Sequence, residues 1–335
     1  MRIGRAFLLA AGYGTRLRPL SLRLPKPAWP LMNQPIAAHA ARSLVNAGVD
    51  DFIINLHHLK HEMTRAMEAS RPAGARFRYS PEEPAILGTG GALAPWLTEL
   101  RGETFFLANA DTYRNFDHSA MADFHFACGA DATLSLMPLP PGEQGPIETD
   151  SSGRIVRFLD ARSPGSGRGT ACHGFSGLHV LGPQVMDIVS EVSLSKKTFC
   201  INADVHRALL ARGGRLYGYR PPPASTASDL GTPYSYLECH IAMLEAGPPP
   251  DWCPGQYFAE DEELPGGGKV LAPSFLGPGA KVGKGASTGP FSVLGERAEV
   301  FTGVRVSRSV VFADSQVKSD AGGAIVSPWG ERMEV

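Results

Sequence analysis

AFLLAAGYGTRLRPLSLRLPKPAWP, from Ala6 to Pro30, is the stretch from which the rest of the chain can be read. Ala6 to Ala11 is a short apolar run of the length of a buried strand. It ends at Gly12 and Gly14, which remove side chains where the backbone must turn tightly and leave amide donors facing outward, as an anion requires. Arg16, Arg18 and Lys26 then bring positive charge within reach of those amides. Pro25 and Pro27 flank Lys26 and restrict the backbone beneath it, lowering the entropy cost of holding a long side chain in place. A loop of this kind suits the triphosphate of a nucleotide. It is neither of two familiar phosphate loops. Gly12-x-Gly14 lacks the third glycine and the ribose-binding acid of the dinucleotide fingerprint, and no GxxxxGK[ST] is present. A glycine turn after a first strand is common in any α/β protein, so these residues by themselves leave the chemistry open.

Outward from this stretch, Pro35 to Asn46 reads as an amphipathic helix ended by Gly48, and FIINL from Phe52 as a strand. A helix over His58 to Ala69 and an extended ARFRYS from Ala75 follow. Strand, helix, strand, helix predicts an α/β fold with a mostly parallel sheet. Ligands in such sheets bind outside the carboxyl ends of the strands, where residues 12 to 18 would lie. ILGTGGALAPWL, from Ile86, sets Gly88, Gly90 and Gly91 before a helical pattern beginning near Ala92. TFFLANAD, from Thr104, is a strand running into Asn109 and Asp111, and the latter is either a turn residue or a carboxylate at the same crevice. SDLGTPYSYLECH puts Asp229 just ahead of a helix beginning at Pro233 and running to about Leu244. Between the two aspartates, DATLSLMPL, RIVRFLD and CHGFSGLHVL read as strands, with the polar, glycine-rich ARSPGSGRG as a mobile loop.

The chain has 335 residues, 43% of them hydrophobic, enough for one large α/β domain and a smaller one. A formal net charge of -1 gives no reason to expect a nucleic-acid partner. No run reaches the roughly 18 apolar residues of a membrane span, and no leader-like apolar segment precedes Ala6; the expectation is a soluble, cytoplasmic protein with no membrane partner. Cys128, Cys172, Cys200, Cys239 and Cys253 form no CxxC pair, so neither a zinc site nor a disulfide framework is expected.

Past residue 246 the composition changes. PPPDWCPG and ELPGGG make residues 247–268 an extended linker. Beyond it, apolar or near-apolar residues recur every six positions at Val270, Leu276, Val282, Thr288, Leu294, Val300, Val306 and Phe312. A hexapeptide period predicts a parallel β-helix, here over residues 269–320, with 321–335 as a tail; a β-sandwich would show period two instead. The exposed end coil invites self-association, so a homo-oligomer is expected.

The opening stretch resembles the signature of the sugar-1-phosphate nucleotidyltransferases, LxAAGxGTRLxPLT followed by PKPxxP, with Ser21 in place of the threonine. That resemblance implies a Rossmann-like mixed sheet over residues 1–246 and a short left-handed β-helix behind it. It implies transfer of a nucleoside monophosphate from an NTP to a sugar 1-phosphate, releasing pyrophosphate, with Mg2+ as cofactor. Leu9, Ala10, Ala11, Gly12, Gly14, Thr15 and Arg16 would meet the nucleotide, as would Gly88, Thr89 and Asn109. Gly177 would lie against the sugar. Arg16, Lys26 and Asp111 would be catalytic, and Asp111 and Asp229 would hold the metal. The chain departs from the family at Ala227, which replaces the aromatic residue of W-x-D-x-G-T-P, and at Ala161, which replaces the sugar-phosphate lysine of FxEKP; Arg162 stands next to it as a substitute. LGTGG resembles guanylyltransferases, pointing to GTP with mannose or heptose 1-phosphate. A uridylyltransferase of the muramate or glucose phosphate type, or a cytidylyltransferase for a small phospho-alcohol, is the alternative.

Overall fold

The computed structural model describes residues 2–139 and 143–335. They form two compact units: Met1–Gly12, Ala37–Thr64 and Arg71–Ala227 make the first, and Tyr13–Ile36, Arg65–Ser70 and Ser228–Val335 the second.

The first unit is built on a ten-stranded mixed sheet of Rossmann-like kind. Arg5–Leu9 lies at its centre, paired in parallel with Asp51–Leu56 on one side and Phe105–Asn109 on the other. Arg76–Pro81 extends the parallel half beyond Asp51–Leu56. Every residue of Asp51–Leu56 is buried, as a strand covered on both faces requires, which is why FIINL shows no alternation. On the other side Ala171–Leu181 runs antiparallel to Phe105–Asn109 and also pairs with Ala132–Met137 and Ile147–Thr149. Its register shifts between Phe175 and His179, around Gly177 at φ 75°. A bulge of this kind bends the strand and re-aims its side chains. Phe7, Ile53, Phe105, Leu107, Leu134, Leu181 and Val185 belong to the core of this unit.

The helices lie close to where the sequence puts them: Ile36–Asn46, Lys60–Ala69 and Pro233–Glu245. The last opens with a reciprocal Thr232–Ser235 capping box ahead of Pro233, which closes two otherwise unpaired amides. The glycine-rich segment behaves differently. No helix begins at Ala92; Gly88–Gly91 form a helical turn themselves, followed by short turns at Ala94–Trp96 and Leu97–Leu100. Glycine is a poor helix former, and this turn is held from outside, because the amides of Gly90 and Gly91 both donate to the carbonyl of Phe199 at 3.0 and 3.2 Å.

In the second unit the hexapeptide period becomes stacked parallel strands. Val270 pairs with Thr288, Leu276 with Leu294 and Val282 with Val300, each 18 residues apart. Their side chains are buried, most of them in one apolar core. The period then slips. Leu294 pairs with Val311, 17 residues on, and Val311 enters the core in place of the expected Phe312. Phe312 instead packs edge-on against the fully buried Trp29, with ring centroids 5.5 Å apart. Stacking continues through Ala321–Gly322 and Ala324–Val326. The stretch 247–268 is partly paired as well, since Gln256–Phe258 and Glu262–Glu263 lie antiparallel to the first two strands of the stack. Among the described residues no helix is long and apolar enough to cross a membrane.

Candidate active site

In the first unit, Leu9 stands abreast of Asn55 and Asn109, so Ala10–Gly12 and Ala110–Asp111 leave the sheet from the same carboxyl edge. Asn55, polar at the end of an apolar strand, explains how the first turn is held. Its Oδ1 accepts from the Ala10 amide at 2.6 Å, and its Nδ2 donates to Glu82 Oε1 at 2.8 Å. Glu82, 2% exposed, also accepts from the Leu87 amide at 2.7 Å. One buried polar link therefore ties the glycine loop to the segment leading into Gly88. Ala10 and Ala11 are buried and Gly12 is exposed; a side chain at Gly12 would meet nothing within 4 Å, which leaves that stretch of backbone open to a bound group.

Gly88 and Thr89 lie against chain rather than against open space. A Cβ on Gly88 would stand 3.1 Å from the Phe199 carbonyl carbon, and one on Gly90 2.6 Å from the Phe199 ring. Thr89 Oγ1 accepts from the Ile201 amide at 3.0 Å and faces Cys200 Sγ at 3.5 Å. The missing side chains of this segment are thus explained by the close passage of Phe199–Ile201. Gly177 lies against the Asp111 turn: a methyl there would be 2.7 Å from Asn109 Nδ2 and 2.8 Å from Arg114 Nη2. Asp111 is half-buried.

The second unit brings together Arg16, Lys26 and Asp229. Gly14 adopts a left-handed conformation, φ 59°, and its position allows only a close approach, since a Cβ would lie 3.3 Å from those of Lys26 and Ser21. Thr15 and Arg16 follow on an exposed turn. Lys26 is 4% exposed, and its Nζ donates to Asp229 Oδ1 at 3.1 Å. Arg16 Nη2 stands 3.7 Å from Asp229 Oδ2. A buried ammonium needs an anionic partner; here a carboxylate supplies what a phosphate could supply. Pro25 and Pro27 frame the short turn Lys26–Ala28, whose residues are all buried, and Trp29 anchors its end.

At the edge of the first unit, Ala161–Arg162 pairs with the end of Ile155–Phe158. Arg162 Nη2 binds Glu148 Oε2 at 3.1 Å, and Asp160 pairs with Arg207 at 2.8 Å. Glu148 also takes Arg157 at 2.6 Å, and these arginines hold its carboxyl below the usual range. In the free chain Arg162 is thus paired with Glu148.

Several of the histidines are buried where carrying a charge is unfavourable. Burial pushes His118 and His206 down to about 3 and His125 and His240 to about 4. His179, stacked on His206 with a 3.0 Å nitrogen contact, is lowered as well. Nor is there, among the described residues, any group of three or more His, Cys, Asp or Glu able to hold a metal by themselves. Magnesium does not need one: it takes one or two carboxylates and completes its shell with water and phosphate oxygens. Asp111 in the first unit and Asp229 in the second are each a carboxylate, the donor type it takes.

Asn55, Glu82, Arg114 and Phe199 escape sequence reasoning. Asn55 left a faint signal as a polar residue ending an apolar strand, and Arg114 as a charge close behind Asp111. Phe199 left none.

Comparison with known proteins shows the family of the chain. Residues 5–246 match the family described as Nucleotidyl transferase. The chain is 31% identical to the mannose-1-phosphate guanylyltransferase of Mycobacterium tuberculosis, over 91% of this chain and 82% of that one. It is 30% identical to the mannose-1-phosphate guanyltransferase of Pichia angusta, over 95% and 84%. Among solved structures, HddC from Yersinia pseudotuberculosis superimposes with a TM-score of 0.56 at 20% identity, over 71% of this chain and 98% of that one. An apo UDP-glucose pyrophosphorylase does so with a TM-score of 0.60 at 18% identity, over 73% and 99%. These two show a shared fold.

Proposed function

Since the chain belongs to the nucleotidyl transferase family and is an enzyme of the class that joins an NTP to a sugar 1-phosphate and releases pyrophosphate, we propose that its own pair is GTP with mannose 1-phosphate or a heptose 1-phosphate. The observation that carries this is the likeness to mannose-1-phosphate guanylyltransferases, which runs past residue 246 into the hexapeptide tail.

The nucleophile in this reading is a phosphate oxygen of the sugar 1-phosphate, already an anion, so no general base is required; the buried, neutral histidines agree with that. This oxygen forms a bond to the α-phosphorus of the NTP while the bond from that phosphorus to the bridging oxygen breaks, and pyrophosphate leaves. Lys26, fixed by its prolines and by burial, holds the attacking phosphate in exchange for the Asp229 carboxylate it meets in the free chain. Arg16 and the amides around Gly12 and Gly14 face the triphosphate and offset charge that builds on the leaving group. Family members typically depend on magnesium. Asp111 and Asp229 are the residues proposed to hold it, and the ion supplies positive charge at the phosphate oxygens.

The test is a competition. Equal GTP, UTP, CTP, ATP and dTTP are offered with magnesium and mannose 1-phosphate, and the nucleotide sugars are identified by mass. GDP-mannose should dominate; a UDP-sugar as the main product would move the chain to the uridylyltransferases.

A further inference from the structure

Resting on the reading of Asp111 as a metal ligand, we propose that Arg114 is a positioning residue, whose buried guanidinium clamps the turn that carries Asp111 to the kink at Gly177. Arg114 is 4% exposed. Its Nε donates to the Ser176 carbonyl at 2.9 Å, and its Nη1 faces the carbonyls of Asn109 at 3.4 Å and Thr112 at 3.3 Å. Asn109 and Thr112 bracket Asp111, one before it and one after, so the backbone of the carboxylate is gripped on both sides. Ser176 belongs to the strand Ala171–Leu181, at the point where its register shifts.

Gly177 completes the clamp. Its positive φ turns the strand, and its missing side chain leaves room for Asn109 and Arg114, which any Cβ would strike. The fork geometry matters as much as the charge: a guanidinium reaches several carbonyls at once from fixed directions, whereas an ammonium on a flexible stem does not. A buried cation held by backbone carbonyls is a poor way to stabilise a fold, since an apolar side chain of similar volume avoids the desolvation cost. What the arginine gives instead is a turn that cannot slide, and a displacement of about 1 Å at a reacting centre can cost ~10²-fold in rate.

The experiment compares the full chain with Arg114→Met, Arg114→Lys and Gly177→Ala. Amide hydrogen exchange is followed at 110–112, Mn2+ binding by electron paramagnetic resonance, and steady-state kinetics under varied magnesium. Arg114→Met should speed exchange at 110–112 while leaving Arg5–Leu9 protected. It should lower kcat ~10²-fold with the KM for NTP little changed, and raise the magnesium needed for half-maximal rate. Gly177→Ala should do the same, and lysine should not rescue. Faster exchange in a chain whose parent shows no transferase activity would support the clamp and place the failure in the functional reading. A lower melting temperature with exchange, kcat and metal requirement unchanged would overturn the proposal, as would full rescue by lysine.

Discussion

Lys26 and Asp229 lie 203 positions apart and meet as a buried ammonium and an exposed carboxylate. The roles proposed for them are to bind a phosphate, for the lysine, and a cation, for the carboxylate. Substituting Lys26→Met should lower kcat/KM by ~10²-fold or more, about 2.7 kcal/mol of lost stabilisation, with thermal melting close to the parent. Asp229→Asn should cause a similar loss and a higher magnesium requirement, because a charge on the metal is removed. Rates of pyrophosphate release across a magnesium titration measure both, and near-parental rates in the two variants would contradict their assignment. The proposed roles of these residues come from the family resemblance, while their local settings, a lysine between two prolines and a D-x-G-T-P ahead of a helix, were legible in the sequence. The Asn55–Glu82 link and the grip of Phe199 on the glycine segment were not. Their partners are ordinary residues at long separation, such as Thr89 and Ile201, 112 positions apart. Gly88, Gly90 and Gly91 signal a close approach but not what approaches.

At the scale of elements, periodicity located the strands and the β-helix, because both patterns follow from which side chains face inward. It failed where a tertiary contact outweighed the local pattern. Gly88–Gly91 turn helically on bonds to Phe199, and the hexad slips at Phe312, where an aromatic side chain finds Trp29 and Val311 takes the inward place. The stack can be opened by a buried charge. Leu294 and Val306 are among the best-buried residues of the stack, so Leu294→Asp or Val306→Asp would bury an unpaired charge at a cost of several kcal/mol. Circular dichroism should show an early melting transition belonging to the stack, with the sheet of the first unit melting later. Melting of both variants at the parental temperature would mean that these positions face solvent.

For the whole molecule, the two units do not follow chain order. The segment carrying Arg16 and Lys26 is packed with residues more than 200 positions on: Trp29 lies edge-on to Tyr236 at 5.2 Å, and Asn33 donates to the carbonyls of Pro254 and Leu294, each at 3.2 Å. Nothing in the sequence pattern announces this, because single aromatics and an asparagine have no period. It gives the hexapeptide tail a part in holding the segment that carries Lys26. All of these assignments converge on one reaction, displacement at the α-phosphorus of an NTP by a sugar phosphate. The most direct measurement supplies the NTP that wins the competition, labelled at either the α- or the γ-phosphate, with sugar 1-phosphate and magnesium, and follows where the label goes. The α-label should appear in the nucleotide sugar and the γ-label in pyrophosphate, with one pyrophosphate for each nucleotide sugar formed. γ-Label transferred to the sugar, or released as free phosphate with no nucleotide sugar made, would contradict it.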